Sequence, residues 1–82
     1  MEITERVKEF VTANFYVEPA SLADDASLLE QGIVDSTGVL EVVSFLEAEF
    51  GIAVADEELL PENLDTIGRI SAFVARKKAL PT

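Results

Sequence analysis

The residue best placed to do chemistry in this sequence is Ser36, which stands between a polar stretch and a long amphipathic pattern. From Val39 to Phe50 the apolar residues recur at the spacing of one helical face, so a helix should begin just before them. Asp35 and Ser36 fall at the N-cap and in the first turn, where a side-chain oxygen can accept from a free backbone N–H group. We therefore expect the Ser36 hydroxyl to be accessible at the positive end of a helix dipole, where an attached phosphate would be stabilised.

Other chemistry at this serine has less support, and an ordinary helix-capping role is the simplest alternative. The sequence contains no histidine and no cysteine, which excludes a Ser-His-Asp triad, a disulfide and a cysteine-based zinc site. Val34 stands where a G-x-S-x-G nucleophile elbow has its first glycine. No glycine serves as the sixth residue of an EF-hand loop with adequate oxygen ligands. We therefore predict no metal site and no enzyme activity of its own.

The charge balance restricts the possible partners. The 82 residues include 16 acidic and 6 basic side chains, a formal net charge of −10. Nucleic acids and anionic membranes require Lys and Arg, so neither is expected, whereas basic protein surfaces would be attracted at long range. Like charge favours a monomer. No apolar run approaches the ~18 residues of a membrane span, and the acidic N-terminus lacks a signal-peptide pattern, so we expect a cytoplasmic protein.

Helical periodicity predicts the elements that position Ser36. Apolar residues recur at helical spacing over residues 2–14, 36–50 and 66–78, which predicts three longer helices. A short helix is expected at 56–60. Nothing alternates as a strand, so the sequence predicts an all-α four-helix bundle in a single domain, residues 1–82.

The expected helix ends and connections complete this prediction. Asn14 and Gly51 are plausible helix stops, Asp65 is the expected N-cap of the last helix, and Pro61 should limit the short one. A long connection over 15–35 should be ordered by apolar anchors and contain a helical turn. The expected anchors at its start are Phe15, Tyr16 and Val17. The five phenylalanines are expected in the core, leaving little free space there: Phe10, Phe15, Phe45, Phe50 and Phe73.

The residues around Ser36 also carry a family resemblance. The nine residues from Leu28 read Leu-Leu-Glu-Gln-Gly-Ile-Val-Asp-Ser, and the helix that follows runs through Leu46-Glu47-Ala48-Glu49-Phe50 to Gly51-Ile52. The stretch 54–60 and the apolar spacing of the closing helix fit the same pattern. On these residues nearly the whole chain resembles an acyl carrier protein, a family related to peptidyl and aminoacyl carrier domains.

The resemblance implies a specific modification of Ser36. It implies that a phosphopantetheinyl transferase, with magnesium bound in that enzyme, attaches a 4′-phosphopantetheine arm from coenzyme A to Ser36. The arm's thiol would then hold an acyl or aminoacyl group as a thioester for separate loading and transferring enzymes. Asp35 would assist recognition by the transferase, and a docking surface for basic patches on partner enzymes would comprise Leu40, Glu41 and Glu47.

Two residues depart from the common family pattern. Thr37 stands where Leu or Met usually follows the serine, and Gly38 stands where a larger residue is more frequent. Thr37 suggests the hypothesis of a specialised carrier, and the cargo could be fatty acyl, polyketide or amino acid. The alternative function is an unmodified acidic helical module that only binds other proteins.

Overall fold

The computed structural model describes residues 3–18 and 22–79, and every regular element within these ranges is helical. The elements are α1 (Ile3–Asn14), α2 (Ser36–Phe50), a 3₁₀ turn (Asp56–Glu58), α3 (Pro61–Leu64) and α4 (Ile67–Ala79). The predicted all-α bundle of three longer helices and one short helix is confirmed. α2 has the predicted bounds and α4 is shifted by one residue, while residue 2, the predicted start of α1, lies outside the described ranges.

The core lies where the apolar faces of the helices meet α4. α1 and α3 make their most extensive contacts with α4, and α2 packs against both α1 and α4. Residues of the long connection before α2 complete the core, because its apolar side chains turn inward between polar neighbours. The buried apolar side chains of the core are those of Val7, Val11, Leu22, Leu28, Val34, Val42, Leu46, Leu64, Ile67, Ile70, Phe73 and Val74.

The ends of α1 and α2 follow the predicted signals. Asn14 is the last residue of α1. Gly51 adopts the left-handed conformation (φ 67°) that ends a helix, and its N–H donates to the Glu47 carbonyl at 3.1 Å. In the connection before α2, the Gln31 N–H donates to the Ser27 carbonyl at 3.1 Å, which forms the expected turn.

The segment that precedes α4 differs from the prediction. The short helix predicted at 56–60 is a 3₁₀ turn at Asp56–Glu58, and the short α-helix begins instead at Pro61. Pro61 suits the first position of α3, because an N–H there would have no intrahelical acceptor. The N-cap prediction for Asp65 is wrong. The Thr66 hydroxyl accepts from the Arg69 N–H at 3.0 Å, so Thr66 caps α4, while Asp65 follows the end of α3.

The aromatic residues are less buried than the sequence predicted. Phe15 and Val17 pack against the core, but the Tyr16 side chain is 94% exposed, so its predicted anchoring role is wrong. Phe73 is fully buried. The other four phenylalanines are half-buried, because they lie along the seam between α1 and α2 rather than under α4; they are Phe10, Phe15, Phe45 and Phe50.

No helix within the described ranges is long and apolar enough to cross a membrane.

Candidate functional site

Ser36 is the first residue of α2, and the capping of this helix is the first feature of the site. Asp35 has an extended backbone (φ −101°, ψ −173°), and its Oδ1 accepts from the Gly38 N–H at 2.6 Å. This is the predicted N-cap, and it places Ser36 in the first turn, where backbone N–H groups have no intrahelical acceptor. The predicted accessibility of the Ser36 hydroxyl concerns a side chain outside the described part of the structure, so it stays a prediction.

Gly38 is buried against an aromatic ring in the same turn. A Cβ at Gly38 would lie 2.9 Å from Phe15 Cε1, 3.2 Å from Asp35 Oδ1 and 3.3 Å from a Val34 methyl carbon. Real Cβ atoms essentially never approach another atom as closely as 2.9 Å, so the Phe15 ring can occupy this place because residue 38 has no side chain. Gly38 therefore lets the end of α1 lie directly against the start of α2.

The connection before Ser36 is fastened to the junction between α3 and α4 by Asp65. The Ser27 hydroxyl donates to the Asp65 carboxylate, 2.7 Å from Oδ2 and 2.9 Å from Oδ1, and the Leu29 N–H donates to Oδ1 at 3.1 Å. The Leu28 N–H donates to the Asp65 carbonyl at 2.7 Å. No local sequence pattern indicated this role, because Ser27 and Asp65 are far apart in the chain.

Asp65 thus orders the chain up to the residue before the cap. The Leu28 carbonyl accepts from the N–H groups of Ile33 (3.0 Å) and Val34 (3.2 Å), and the Val34 side chain is buried. Because these bonds fix the backbone immediately before Asp35, they hold the start of α2 in place.

The predicted docking residues have different surroundings. Leu40 is 57% exposed and Glu41 is exposed next to it. The carboxylate of Asp35 is engaged by the Gly38 N–H. Glu47 Oε2 accepts from the Val54 N–H at 2.9 Å, so this exposed carboxylate also holds the segment that follows α2. Leu40 and Glu41 therefore lie next to each other on an exposed surface. Asp35 and Glu47 instead accept hydrogen bonds from backbone N–H groups of the protein.

Among the described residues, a groove lies on each side of Leu40, and Leu40 lines both grooves. The α1–α2 groove has a volume of about 580 Å³ and the α2–α3 groove about 320 Å³. The α1–α2 groove is lined by Phe10, Asn14, Thr37, Leu40, Glu41, Ser44 and Phe45. The α2–α3 groove is lined by Leu29, Val39, Leu40, Leu59, Leu60, Pro61, Leu64 and Asp65.

The α1–α2 groove was not predicted from the sequence. A signal for its α2 wall was present, because Thr37, Glu41 and Ser44 recur at i, i+4 and i+7, which places them on one helical face. The other wall comes from α1, and no local pattern shows which α1 residues face α2.

The six basic side chains are all engaged within the protein. They lie on α1 and α4, and no basic residue occurs between Lys8 and Arg69. Negative charge around α2 is therefore not neutralised by basic residues of α2 or of its flanking connections. The pairs are Arg6 with Glu49, Lys8 with Asp24, Arg69 with the Pro61 carbonyl, Arg76 with Asn63, Lys77 with Glu58, and Lys78 with the Phe50 carbonyl.

Glu58 is held by a lysine side chain and by a backbone N–H group. Its Oε1 accepts from Lys77 Nζ at 2.8 Å and from the Ala55 N–H at 2.9 Å. The hydrogen bond from Lys77, followed by the one from the Ala55 backbone, holds the pKa of the Glu58 carboxyl below its usual value of 4.5. Glu58 is part of the 3₁₀ turn after α2, so this pair ties that turn to α4.

No cluster of three or more His, Cys, Asp or Glu side chains within residues 3–18 and 22–79 is arranged to hold a metal ion.

Known proteins similar to this chain are carriers, and a family model for phosphopantetheine attachment matches most of its length. A sequence model of the family described as "Phosphopantetheine attachment site" matches residues 5–74. The acyl carrier protein of Thermosynechococcus vestitus is 36% identical over 78 residues, covering 95% of this chain and 94% of the relative. The acyl carrier protein of a Bradyrhizobium species is 35% identical over 92% of both chains. The acyl carrier protein of Zymomonas mobilis is 30% identical over 95% of this chain and 97% of the relative.

Proposed function

The chain belongs to the acyl carrier protein family, whose members are carriers rather than enzymes, and we propose that Ser36 holds its covalently attached 4′-phosphopantetheine. One observation carries the proposal: Ser36 is the first residue of α2, inside the stretch that matches the phosphopantetheine-attachment family. The Ser36 oxygen would lose its proton to a base of the transferase and attack the coenzyme A phosphorus that bears the pantetheine. Adenosine 3′,5′-bisphosphate would leave as the pyrophosphate bond breaks, and the arm would remain on Ser36 as a phosphodiester. We propose residues 1–82 as one carrier domain.

The start of α2 suits a phosphate ester. α2 is 15 residues long, so its aligned peptide dipoles favour negative charge at its first turn. The Asp35 side chain accepts from the Gly38 N–H. The N–H groups of Ser36 and Thr37 have no carbonyl acceptor within the helix, because they lie in its first turn. These donors would stabilise a phosphate on residue 36.

The attached arm would supply what this chain lacks, a thiol. The sequence has no cysteine, so a thioester cannot form on the chain itself. The arm's terminal thiol holds an acyl or aminoacyl group as a thioester. The role of this chain would be to present that group to the enzymes that load, extend or transfer it.

Partner enzymes would approach the surface around α2. The exposed Leu40 and Glu41 favour contact with an apolar side chain and a basic group. Asp35 and Glu47 would contribute negative charge and, through their internal hydrogen bonds, the shape of the docking surface. We further propose that the protein acts as a monomer, because of its strong like charge, and that it acts in the cytoplasm.

The test is a modification assay. The purified protein is incubated with coenzyme A, Mg²⁺ and a broad-specificity phosphopantetheinyl transferase, and its intact mass is measured. We expect a gain of one phosphopantetheine in the wild type and no gain in Ser36→Ala. An unchanged wild-type mass would favour the alternative, an unmodified acidic interaction module; an arm on Ser36→Ala would place the attachment elsewhere.

A further inference from the structure

The α1–α2 groove begins beside the candidate attachment residue. Thr37, the residue after Ser36, is one of its lining residues, and Glu41 and Ser44 follow on the same face of α2. A helix rises about 1.5 Å per residue, so residue 41 lies about 8 Å along α2 from residue 36. The arm contains two amide units and is longer than this distance. A group carried at its end would therefore reach the groove when the arm folds back along α2.

Two stacked rings form the apolar part of the groove. The ring centroids of Phe10 and Phe45 lie 4.1 Å apart with 16° between the ring planes, and both side chains are half-buried. Phe50 meets Phe45 edge to face, with centroids 5.9 Å apart, which restricts the Phe45 ring from its other side. Because the two stacked rings are only half-buried, they leave apolar surface that the side chain of a ligand would cover.

The polar groups of the groove favour a cation. Glu41 is the one charged lining residue, and no hydrogen bond or ion pair joins its exposed carboxylate to another described residue. Asn14 Nδ2 donates to the Phe10 carbonyl at 2.9 Å, which leaves the Asn14 amide oxygen as an acceptor. An ammonium group would be attracted by these oxygens, whereas an acyl group that bears a carboxylate would be repelled by Glu41.

The α2–α3 groove differs in the state of its carboxylate. Asp65 is the one charged residue that lines it, and the Ser27 hydroxyl and the Leu29 N–H already donate to the Asp65 carboxylate. The other residues that line this groove are apolar. An ammonium group would therefore find an unengaged carboxylate in the α1–α2 groove and not in the α2–α3 groove.

We propose that the cargo of this carrier is an aminoacyl group and that the α1–α2 groove holds it. Its α-ammonium would lie at the Glu41 carboxylate and its apolar side chain against Phe10 and Phe45. The inference rests on the proposed function, because the cargo reaches the groove only through an arm on Ser36.

The charge of the tethered group decides between the possible cargoes. An amino acid joined to the arm through its carboxyl group has lost that negative charge and keeps its positive one, so it is a cation that fits an acidic groove. A fatty acyl group carries no charge and gains nothing from Glu41. An exposed ion pair is weak on its own, but the arm keeps the cargo at a high effective concentration beside the groove. A basic group of a docked enzyme would compete with the ammonium for Glu41.

The first test compares two cargoes that differ only in the amine. A broad-specificity phosphopantetheinyl transferase and Mg²⁺ attach the arm from coenzyme A derivatives that carry a leucyl or a 4-methylpentanoyl group through a hydrolysis-resistant amide. NMR then measures contacts between the cargo methyl groups and the ring protons of Phe10 and Phe45. We expect these contacts with the leucyl group and contacts severalfold weaker with the 4-methylpentanoyl group. Equal contacts for the two cargoes, or a leucyl group that contacts neither ring, would overturn the proposal.

The second test removes the charge of the groove. Glu41→Gln keeps the size of the side chain, and the leucyl contacts with the two rings should weaken to the level of the 4-methylpentanoyl protein. Glu62→Gln removes the same charge from an exposed position on α3 and should leave the contacts unchanged. Equal effects of the two variants would overturn the role of Glu41 while modification at Ser36 stands. A wild-type protein whose intact mass shows no arm would overturn the proposed function as well.

Discussion

Gly38, in the first turn of α2, allows the end of α1 to pack closely against α2 because it has no side chain. The space that a Gly38 Cβ would need is taken by the Phe15 ring, by the Asp35 carboxylate that caps the helix, and by Val34. Phe15 in turn meets Phe10 edge to face, with centroids 6.2 Å apart. Gly38 therefore links the capping of α2 to the row of rings between α1 and α2.

We predict that Gly38→Ala destabilises the protein. Alanine gains about 1 kcal/mol in helix propensity over glycine, but overpacking costs about 1–3 kcal/mol, so a net loss of about 1 kcal/mol is expected. Urea unfolding would measure the loss. In Phe15→Leu/Gly38→Ala the smaller side chain makes room for the new methyl, so the double variant should lose less stability than the two single losses added together. Strict additivity would contradict the contact.

At the scale of elements, the junction between α3 and α4 holds the connection that leads into α2. Asp65, at this junction, binds Ser27 and Leu29 of the connection that leads to Ser36. The same residue lines the α2–α3 groove. The position of α3 is thereby coupled to the backbone before the candidate attachment site.

Asp65→Ala should lower the free energy of unfolding by about 2 kcal/mol, because hydrogen bonds to a charged group each contribute about 1.5–3 kcal/mol and Ser27 can partly turn to water. Hydrogen exchange should also quicken at the amides of Ile33 and Val34. Asp65→Asn keeps an acceptor oxygen and should lose less. Glu62→Ala, an exposed change on α3, should stay within about 0.5 kcal/mol of the wild type. A similar effect for Glu62→Ala and Asp65→Ala would show that the junction does not anchor the connection.

For the whole molecule, the separation of charge is the main feature. The basic residues of α1 and α4 are engaged internally, while residues 9–68, which contain α2, include acidic residues and no basic ones. Such a charge distribution would steer the α2 surface toward basic partners. It also makes part of the stability depend on pH, through Glu58 and Lys77.

The pH dependence has a definite sign. The pKa of Glu58 is lower in the folded protein than its ordinary value of 4.5, so the pair stabilises the fold above pH 4.5. That stabilisation disappears as pH falls through the lowered pKa, because the carboxyl then becomes protonated. Lys77→Met should therefore melt below the wild type at neutral pH, and this difference should shrink in acid below pH 4.5.

Lys78→Met is the matched control. It removes the same charge from α4, but the partner of Lys78 is the Phe50 carbonyl, which does not titrate in this range. Thermal melts of both variants across this pH range would separate the two cases. A difference between wild type and Lys77→Met that is unchanged in acid would contradict the assigned role of Glu58.

The helices, their all-α class and the capping of α2 could be predicted from the sequence because each depends on residues close together in the chain. Periodicity predicted the bounds of α2, and Asp35 and Gly51 indicated its two ends. The family pattern around Ser36 is likewise a local stretch. The predicted docking residues Leu40 and Glu41 do lie on an open surface.

Only the tertiary structure decided which groups meet across the chain. In the folded protein the Tyr16 side chain is exposed, and the Glu47 carboxylate accepts from the Val54 N–H. Thr66, rather than Asp65, caps α4. The tertiary structure also placed the two grooves on either side of Leu40. Asp65 does not cap α4 because its carboxylate binds Ser27 and Leu29, which are distant from it in sequence. The grooves likewise form between segments that are far apart in the chain, so local sequence patterns do not reveal them.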